Sequence, residues 1–451
     1  MADAKILQKI VFTGTLQLDS PLMIGSGTET EKRKNEADIH VLKDKLERPF
    51  IPGTSLAGVL RSWLAEEDAG AADKLFGFVT KNKNSMSDVQ SAVSILDEVL
   101  ENAKIVVRDG VSIDVFTGTG LDGKKYDYEA VERGASGSFY MLLTLREYHR
   151  KNLSEPDGLI ERIADKLCSG IRAGALTSKG FGVVRVPDIC VAWYDFSKAD
   201  DVKRWLLKQP AAKTYKGKAG GKGNSNTFSV DGEFALATTL LIRDQSVQEK
   251  VGDKRINAAP IRSRNEYLIP GTSLKGVLRH QAVRILTALG KPAECLNDLM
   301  GFSAEKNSKK SRFTVNEVYF KQGVTEQEQS RNRIDRFTGG TMESALFTNR
   351  ALWQTVPEAP VLKIHYEIAD CADWEAGLAL FLLKDLWTGN LPLGGEKSIG
   401  RGYLQGISAK ITYKGKSYQI NKNGFASPED KEVLEKFAAA LIGKEVEAVK
   451  S

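Results

Sequence analysis

The sequence predicts an α+β protein made of two tandem copies of one βαββαβ domain. Three observations carry that expectation. An eleven-residue element recurs, IPGTSLAGVLR at 51–61 and IPGTSLKGVLR at 269–279, identical at ten positions and offset by 218. Three more motifs then follow each copy in the same order. Each copy also opens on an alternating, strand-like stretch and carries two stretches of helical spacing. The chain has 451 residues and a mass of 49.5 kDa. Single cores tend to split above roughly 250–300 residues, so two domains fit that length.

The motifs fix the copies. Leu75-Phe76-Gly77-Phe78 is echoed by Leu299-Met300-Gly301-Phe302, each followed by a Lys/Asn/Ser-rich loop. Ile113-Asp114-Val115-Phe116-Thr117-Gly118 is echoed by Ile334-Asp335-Arg336-Phe337-Thr338-Gly339 at an offset of 221. Gly174-Ala175-Leu176-Thr177-Ser178-Lys179-Gly180-Phe181-Gly182 is echoed by Gly394-Gly395-Glu396-Lys397-Ser398-Ile399-Gly400-Arg401-Gly402 at 220. The expected domains are 1–207 and 227–451. Residues 208–226, rich in Lys, Gly, Ser and Asn, read as a flexible linker or exposed loop.

Within a copy the elements follow in order. Residues 9–18, and more loosely 228–236, alternate as strands. Pro52-Gly53-Thr54 offers a break and a helix N-cap, with Leu56, Val59, Leu60, Trp63 and Leu64 at helical spacing. A strand is expected near Lys104–Arg108. A second helix is expected at Pro156–Ser169, matched by Asp373–Trp387. A glycine turn and a closing strand, 182–194 or 402–413, end each copy. This is the order of a ferredoxin-like domain with insertions. A further helix is expected over 428–441, with no indication of where it docks.

Composition excludes several classes. With 41% apolar and 27% charged residues the chain reads as soluble and globular. Its four histidines, His40, His149, His280 and His365, argue against most imidazole-based metal sites and triads. Cys168, Cys190, Cys295 and Cys371 form no CxxC pair, and a reducing cytosol fits them best. No apolar run reaches the ~18 residues that cross a bilayer, and the first residues lack a signal-peptide core. A net charge of +6 leans mildly toward polyanionic partners.

Two readings stay open for each motif. The glycine element is either a tight turn or a cradle of backbone N–H groups for phosphate, with Lys179, Lys397 and Arg401 adding charge. It is not a Walker loop, because Gly395-Glu396 stands where Gly-Lys belongs. The IPGTSLxGVLR element starts a core helix. Thr54, Ser55, Thr272 and Ser273 at its N-terminus, with Arg61, Lys275 and Arg279 nearby, also suit a surface that tracks a nucleic-acid backbone. Phe116 and Phe337 are either buried strand residues or part of a hairpin that wedges between bases. Asp114 and Asp335, before Thr-Gly, suit turn stabilisation.

The order xIPGTSLxGxxR, LFGF, IDxFTG, GGxxSxGxG resembles the RAMP superfamily of CRISPR-associated proteins over nearly the whole chain outside the linker and tail. It most resembles the backbone subunits of type III effector complexes, and the tandem fusion is similar to a double-backbone subunit of type III-D systems. The resemblance implies modified ferredoxin-like (RRM-like) domains with inserted thumb hairpins, here carrying Ile113, Phe116, Ile334 and Phe337. It implies a cytoplasmic ribonucleoprotein of antiviral defence. The implied partners are CRISPR guide RNA bound without regard to sequence, single-stranded target RNA, other RAMP-type backbone subunits and the large type III subunit, with no membrane.

Cutting members of the family carry an active aspartate on the loop before the helix, six residues ahead of a second aspartate. Asp38 and Asp44 have that arrangement here. RNA supplies its own 2′-hydroxyl nucleophile. Cleavage then needs geometry, charge neutralisation and a carboxylate that holds Mg²⁺ or another divalent ion transiently, or orients a proton. Asp38 is accordingly the expected catalytic and metal-holding residue, with His40 incidental. In the second copy Ile256 or Ala258 falls opposite Asp38, depending on alignment, and Asp253 is the nearby carboxylate able to substitute. The expectation is an RNA-guided endoribonuclease subunit cutting from the first repeat. Against it stand a non-catalytic guide-RNA scaffold, a guide-processing nuclease and an unrelated metabolic enzyme. The last would need a small-molecule site that the sequence does not display.

Overall fold

The computed structural model describes residues 4–27, 37–79, 88–114, 117–220, 226–244, 250–251, 254–302 and 307–443. The chain divides into two compact units. Met1–Arg108, Tyr126–Thr177 and Phe181–Lys222 make the first, and Asp109–Lys125, Ser178–Gly180 and Gly223–Ser451 the second.

Along the first repeat the main elements are β1 (Ile6–Leu18), α1 (Gly53–Glu67), α2 (Ala69–Phe76), β2 (Val93–Ile95), β3 (Ile105–Ile113), β4 (Gly120–Val131), β5 (Ser136–Arg146), α3 (Pro156–Ser169), β6 (Cys190–Asp195) and β7 (Lys213–Lys216). The sheet runs β7-β6-β1-β5-β2, antiparallel throughout. Residues two apart on a strand share a face. Ile10, Phe12 and Leu16 of β1 therefore point into one core with Leu56, Leu60 and Leu64 of α1 and Ile160, Ile163 and Leu167 of α3. Pro156 opens α3 and Gly170, at φ 115°, ends it, as fixed φ and positive φ respectively favour.

The strand foreseen near Lys104–Arg108 is present as the start of β3, but it pairs with β4 as a separate two-stranded ribbon and not in the main sheet. The sheet position goes instead to the three-residue β2. Ile105 at its start packs against the core, whereas β3 beyond Gly110 is exposed. Residues 213–216, expected in the linker, form β7 on the open edge of β6. Tyr215 packs against the core and its hydroxyl donates to Asp165 Oδ1 at 2.9 Å. Lys213 Nζ sits 2.6 Å from Asp157 Oδ2 and 4.6 Å from the Trp193 ring centroid.

The second repeat contains β8 (Phe228–Leu236), β9 (Lys254–Pro260), α4 (Gly271–Ala288), β10 (Phe313–Val315), β11 (Val324–Arg331), β12 (Phe347–Gln354), β13 (Leu362–Ile368), α5 (Asp373–Trp387), β14 (Leu404–Tyr413), β15 (Lys416–Asn421), β16 (Gly424–Phe425) and α6 (Pro428–Gly443). Its sheet, β10-β13-β8-β14-β15-β16, repeats the order of the first. Leu274, Leu278, Ala282 and Leu286 of α4 share its core with Leu378, Leu382 and Leu386 of α5. The tail helix docks on its own unit. Leu434, Phe437 and Leu441 are buried, and Tyr413 meets Phe437 edge-on at 5.1 Å. Gly377 permits this approach, because a Cβ there would lie 2.2 Å from the Phe437 carbonyl oxygen.

Candidate nucleic-acid interface and carboxylate site

After β1 the chain returns across the end of β4. A Gly25–Val41 bridge and a parallel Ile39–Tyr128 bridge hold the returning segment. Alternation turns Ile39 inward, against the cluster of Met23, Tyr128, Ala130 and Phe181, and leaves Asp38 exposed. The Asp38 N–H donates to the Asp127 carbonyl at 2.8 Å, and the Asp127 N–H donates back to Asp38 Oδ2 at 2.9 Å. The carboxylate is thus oriented by the backbone of β4.

Glu129, two residues along β4, was not foreseen. Its Oε2 accepts the Val41 N–H at 3.0 Å and its Oε1 lies 3.4 Å from His40 Nδ1, so it fastens the same segment. The alternation Tyr126-Asp127-Tyr128-Glu129 is the sequence signal that pairs it with Asp127 on one face. Asp44 has a local role. Its Oδ1 accepts the Leu46 and Arg48 N–H groups at 2.8 and 2.9 Å, and its Oδ2 accepts Arg48 Nε at 2.8 Å. The backbone and side chain of Arg48 hold the Asp44 carboxyl below its ordinary range.

The second repeat builds the same junction. β9 runs parallel to β12 with Ala258 beside Asn349, and the Thr348 N–H donates to Asn257 Oδ1 at 2.9 Å. Ile256 and Ala258 are buried at 2% exposure and Asn257 between them is exposed. Asn257 therefore holds the place of Asp38, and Thr348 that of Asp127. The ungapped and pattern-based alignments, which set Ile256 or Ala258 opposite Asp38, each miss by one residue because the segment after β8 lacks a motif that fixes its register. Asp253 lies outside the described residues.

Behind the two junctions the packing differs. In the first repeat Tyr128 and Phe181 are buried with ring centroids 6.1 Å apart, and the Arg108 guanidinium lies 5.4 Å from the Phe181 ring. In the second, Arg401 takes the Phe181 position at 2% exposure. Its Nε donates to Glu396 Oε2 at 2.8 Å, Nη1 to Thr239 Oγ1 at 3.0 Å and Nη2 to Gln329 Oε1 at 2.8 Å. Asn349 Nδ2 and Arg331 Nη1 also donate to Glu396, at 2.6 and 3.2 Å. Arg401 is thus an internal strut rather than a surface cation.

Lys275 is likewise turned inward. It is 5% exposed, and its ammonium donates to Ser311 Oγ at 2.7 Å and to the Phe313 carbonyl at 2.9 Å. Burial pushes it down to about 7. Arg279 is half-buried and donates to the Gly301 carbonyl at 2.8 Å and to Asn297 Oδ1 at 3.2 Å. The i, i+4 spacing of α4 puts both groups on the side facing β10 and the Gly301 turn. Arg61 remains exposed, 2.8 Å from Asp73. Lys397 is exposed, and Lys179 is half-buried, which lowers its ammonium.

The threonines do not cap their helices. α1 and α4 start at Gly53 and Gly271 with Pro52 and Pro270 as caps, and neither cap makes a side-chain bond. Thr54 is exposed, while Ser55, Thr272 and Ser273 are half-buried in the first turns. The Gly53 N–H is taken by Asp97 Oδ1 at 2.8 Å. In the glycine turns, a Cβ on Gly182 or Gly402 would lie 1.9 Å from the Ala173 or Leu393 carbonyl oxygen, and both residues have positive φ. A tight turn accounts for those glycines.

The two IDxFTG segments are turns built on their aspartates. Asp114 Oδ1 accepts the Thr117 N–H at 2.7 Å, and Asp335 Oδ1 accepts the Phe337 and Thr338 N–H groups at 2.9 and 2.8 Å. The second turn presents Ile334 at 59% and Phe337 at 99% exposure, and the first presents Ile113 at 44%. Phe116 lies outside the described residues. Among the described residues no three His, Cys, Asp or Glu side chains gather to hold a metal ion, and no helix is long and apolar enough to cross a membrane.

A family model described as the RAMP superfamily matches residues 15–185 and 233–405. A protein named CRISPR system Cms endoribonuclease Csm3, from Methanocaldococcus jannaschii, is 23% identical over 210 residues, covering 42% of this chain and 83% of that protein. The family match falls once on each repeat and takes in more than half of the chain, so the protein belongs to the RAMP superfamily.

Proposed function

We propose that this protein is a backbone subunit of a type III CRISPR ribonucleoprotein that holds guide RNA without regard to sequence and cuts complementary target RNA through Asp38. The observation that carries the reading is the exposed Asp38 carboxylate, fixed by the Asp127 N–H at the end of the β4 ribbon. The similarity to a protein named as an endoribonuclease supports the same class of reaction. The matching strand order of the two sheets supports ferredoxin-like, RRM-like domains. The duplication supports a fused double subunit of the III-D kind, working in the cytoplasm with other RAMP-type subunits and a large type III subunit.

In this reading the Asp38 carboxylate orients the target 2′-hydroxyl and accepts its proton. The 2′-oxygen bonds to phosphorus, the bond to the 5′-oxygen breaks, and that oxygen takes a proton from water. The products are a 2′,3′-cyclic phosphate and a 5′-hydroxyl. The described residues do not build a resident metal cage. A divalent cation therefore enters the proposal as a transient partner of Asp38, and no step is routed through it. Thr54, Ser55, Arg61, Thr272, Ser273, Lys179 and Lys397 are the proposed RNA-backbone contacts. Arg279, Lys275 and Arg401 act from inside by holding the elements that carry them. Ile113, Phe116, Ile334 and Phe337 are the proposed thumb residues. Asp253 is retained as a second carboxylate to be tested.

The test is the purified complex. It should retain RNA of defined length that is lost at high salt, and it should cut complementary RNA with one cut per chain removed by Asp38→Ala. A complex that holds RNA and cuts equally well with Asp38→Ala would favour the scaffold reading.

A further inference from the structure

We infer that the second repeat carries a latent cleavage site, complete in its backbone and silenced by the single residue Asn257. The inference rests on the role proposed for Asp38. Both junctions present one exposed side chain followed by an inward-facing neighbour, Asp38 before Ile39 and Asn257 before Ala258. Both fix it with a backbone N–H from the facing strand at 2.9 Å, from Asp127 to Asp38 and from Thr348 to Asn257. In each repeat the bridging pair, Ile39–Tyr128 or Ala258–Asn349, follows one residue later. The two groups therefore share position, exposure and orientation, and they differ in chemistry.

The Thr348 N–H is a donor, so it fixes which end of the Asn257 amide faces it. Oδ1 accepts that bond, and Nδ2 stands where Asp38 has its second oxygen. An amide nitrogen there donates hydrogen bonds, carries no negative charge and cannot take a proton. The 2′-hydroxyl proton then has no acceptor at this position. The bond from 2′-oxygen to phosphorus does not form, and the bond to the 5′-oxygen stays intact. Asn257→Asp replaces Nδ2 with an oxygen of nearly the same size and keeps the bond from Thr348. The cost of the change is small because the residue is exposed. The Glu396–Arg401–Arg331 network behind Asn349 is untouched.

The experiment compares cut maps of one end-labelled target in complexes carrying wild-type, Asn257→Asp, Asp38→Asn and Asp38→Asn/Asn257→Asp chains, with target affinity and melting temperature measured alongside. Asn257→Asp is expected to add one cut per chain at a fixed distance from the Asp38 cut, at least about tenfold above the wild-type background at that position. The double variant should keep the new cut alone. The inference is overturned if Asn257→Asp binds and melts as wild type yet adds no cut. It is also overturned if wild type already cuts twice per chain and Asp253→Ala removes the second cut. Should Asn257→Asp fail to assemble, Asp38→Asn decides. A first site that still cuts with a carboxamide, while Asp38→Ala does not, shows that an amide does not silence this position. A cut that survives Asp38→Ala instead sinks the reading of Asp38 itself, so the two failures are distinct.

Discussion

Asp38 and Asp127 hold each other in a reciprocal pair of hydrogen bonds, the Asp38 N–H to the Asp127 carbonyl at 2.8 Å and the Asp127 N–H to Asp38 Oδ2 at 2.9 Å. One oxygen of the carboxylate, Oδ2, is thus held by backbone. A carboxylate held by the backbone of a facing strand keeps its orientation without help from a side chain. The Thr348 N–H donates to Asn257 Oδ1 as the Asp127 N–H does to Asp38, with an amide in place of the carboxylate.

Glu98 gives the first repeat a measurable pH dependence. It is 2% exposed, accepts the Tyr140 N–H at 2.8 Å, and is pushed up to about 7, first by burial and then by the charge of Asp97. Its folded value lies above the ordinary 4.5. Its contribution is therefore complete below the unfolded value and is lost as pH rises through the folded one. The loss is at most about 1.4 kcal/mol per pH unit across that interval. Glu98→Gln keeps the acceptor for Tyr140 and should flatten this slope, making the variant more stable than wild type at about pH 8 in urea unfolding.

Arg401 is predicted to matter for folding before it matters for RNA. Arg401→Ala leaves the mostly buried Glu396 with fewer partners and should cost about 3 kcal/mol. Pairing it with Glu396→Gln should recover part of that loss. Urea midpoints of the single and double variants check this. If Arg401→Ala instead keeps full stability and loses RNA, its place is at the RNA surface.

Phe337 should behave in the opposite way. At 99% exposure it is not packed against the described residues. Phe337→Ala should thus shift unfolding by less than about 0.5 kcal/mol. In a complex with target RNA, 2-aminopurine opposite the second hairpin should lose fluorescence, because a base no longer wedged out returns to the stack. An unchanged signal would count against the thumb role.

The duplication made much of this legible from sequence, because each motif had a second copy to check it. Pro156–Ser169 and Asp373–Trp387 appear as helices with those bounds. Asp38 was singled out only through the resemblance, by the arrangement with Asp44 that cutting members of the family share. The strand Val93–Ile95 did not, since three residues are too short to display alternation. Lys213–Lys216 was hidden by a linker-like composition that one tyrosine and an open sheet edge override. Lys275 and Arg401 look like surface cations in a list of residues, and their burial is a fact of tertiary packing. Asn257 was invisible because the segment around it has no motif, although its offset from Asp38 is near the 220 that the motifs share.

The central claim, that Asp38 performs the cut, is tested most directly by single-turnover cleavage of an end-labelled complementary RNA with the Asp38→Ala complex at saturating concentration, with target affinity measured on the same preparation. The account predicts unchanged affinity and the loss of one cut per chain, its rate falling by about 10² to 10⁴. A cut that persists at the wild-type rate and position would contradict it.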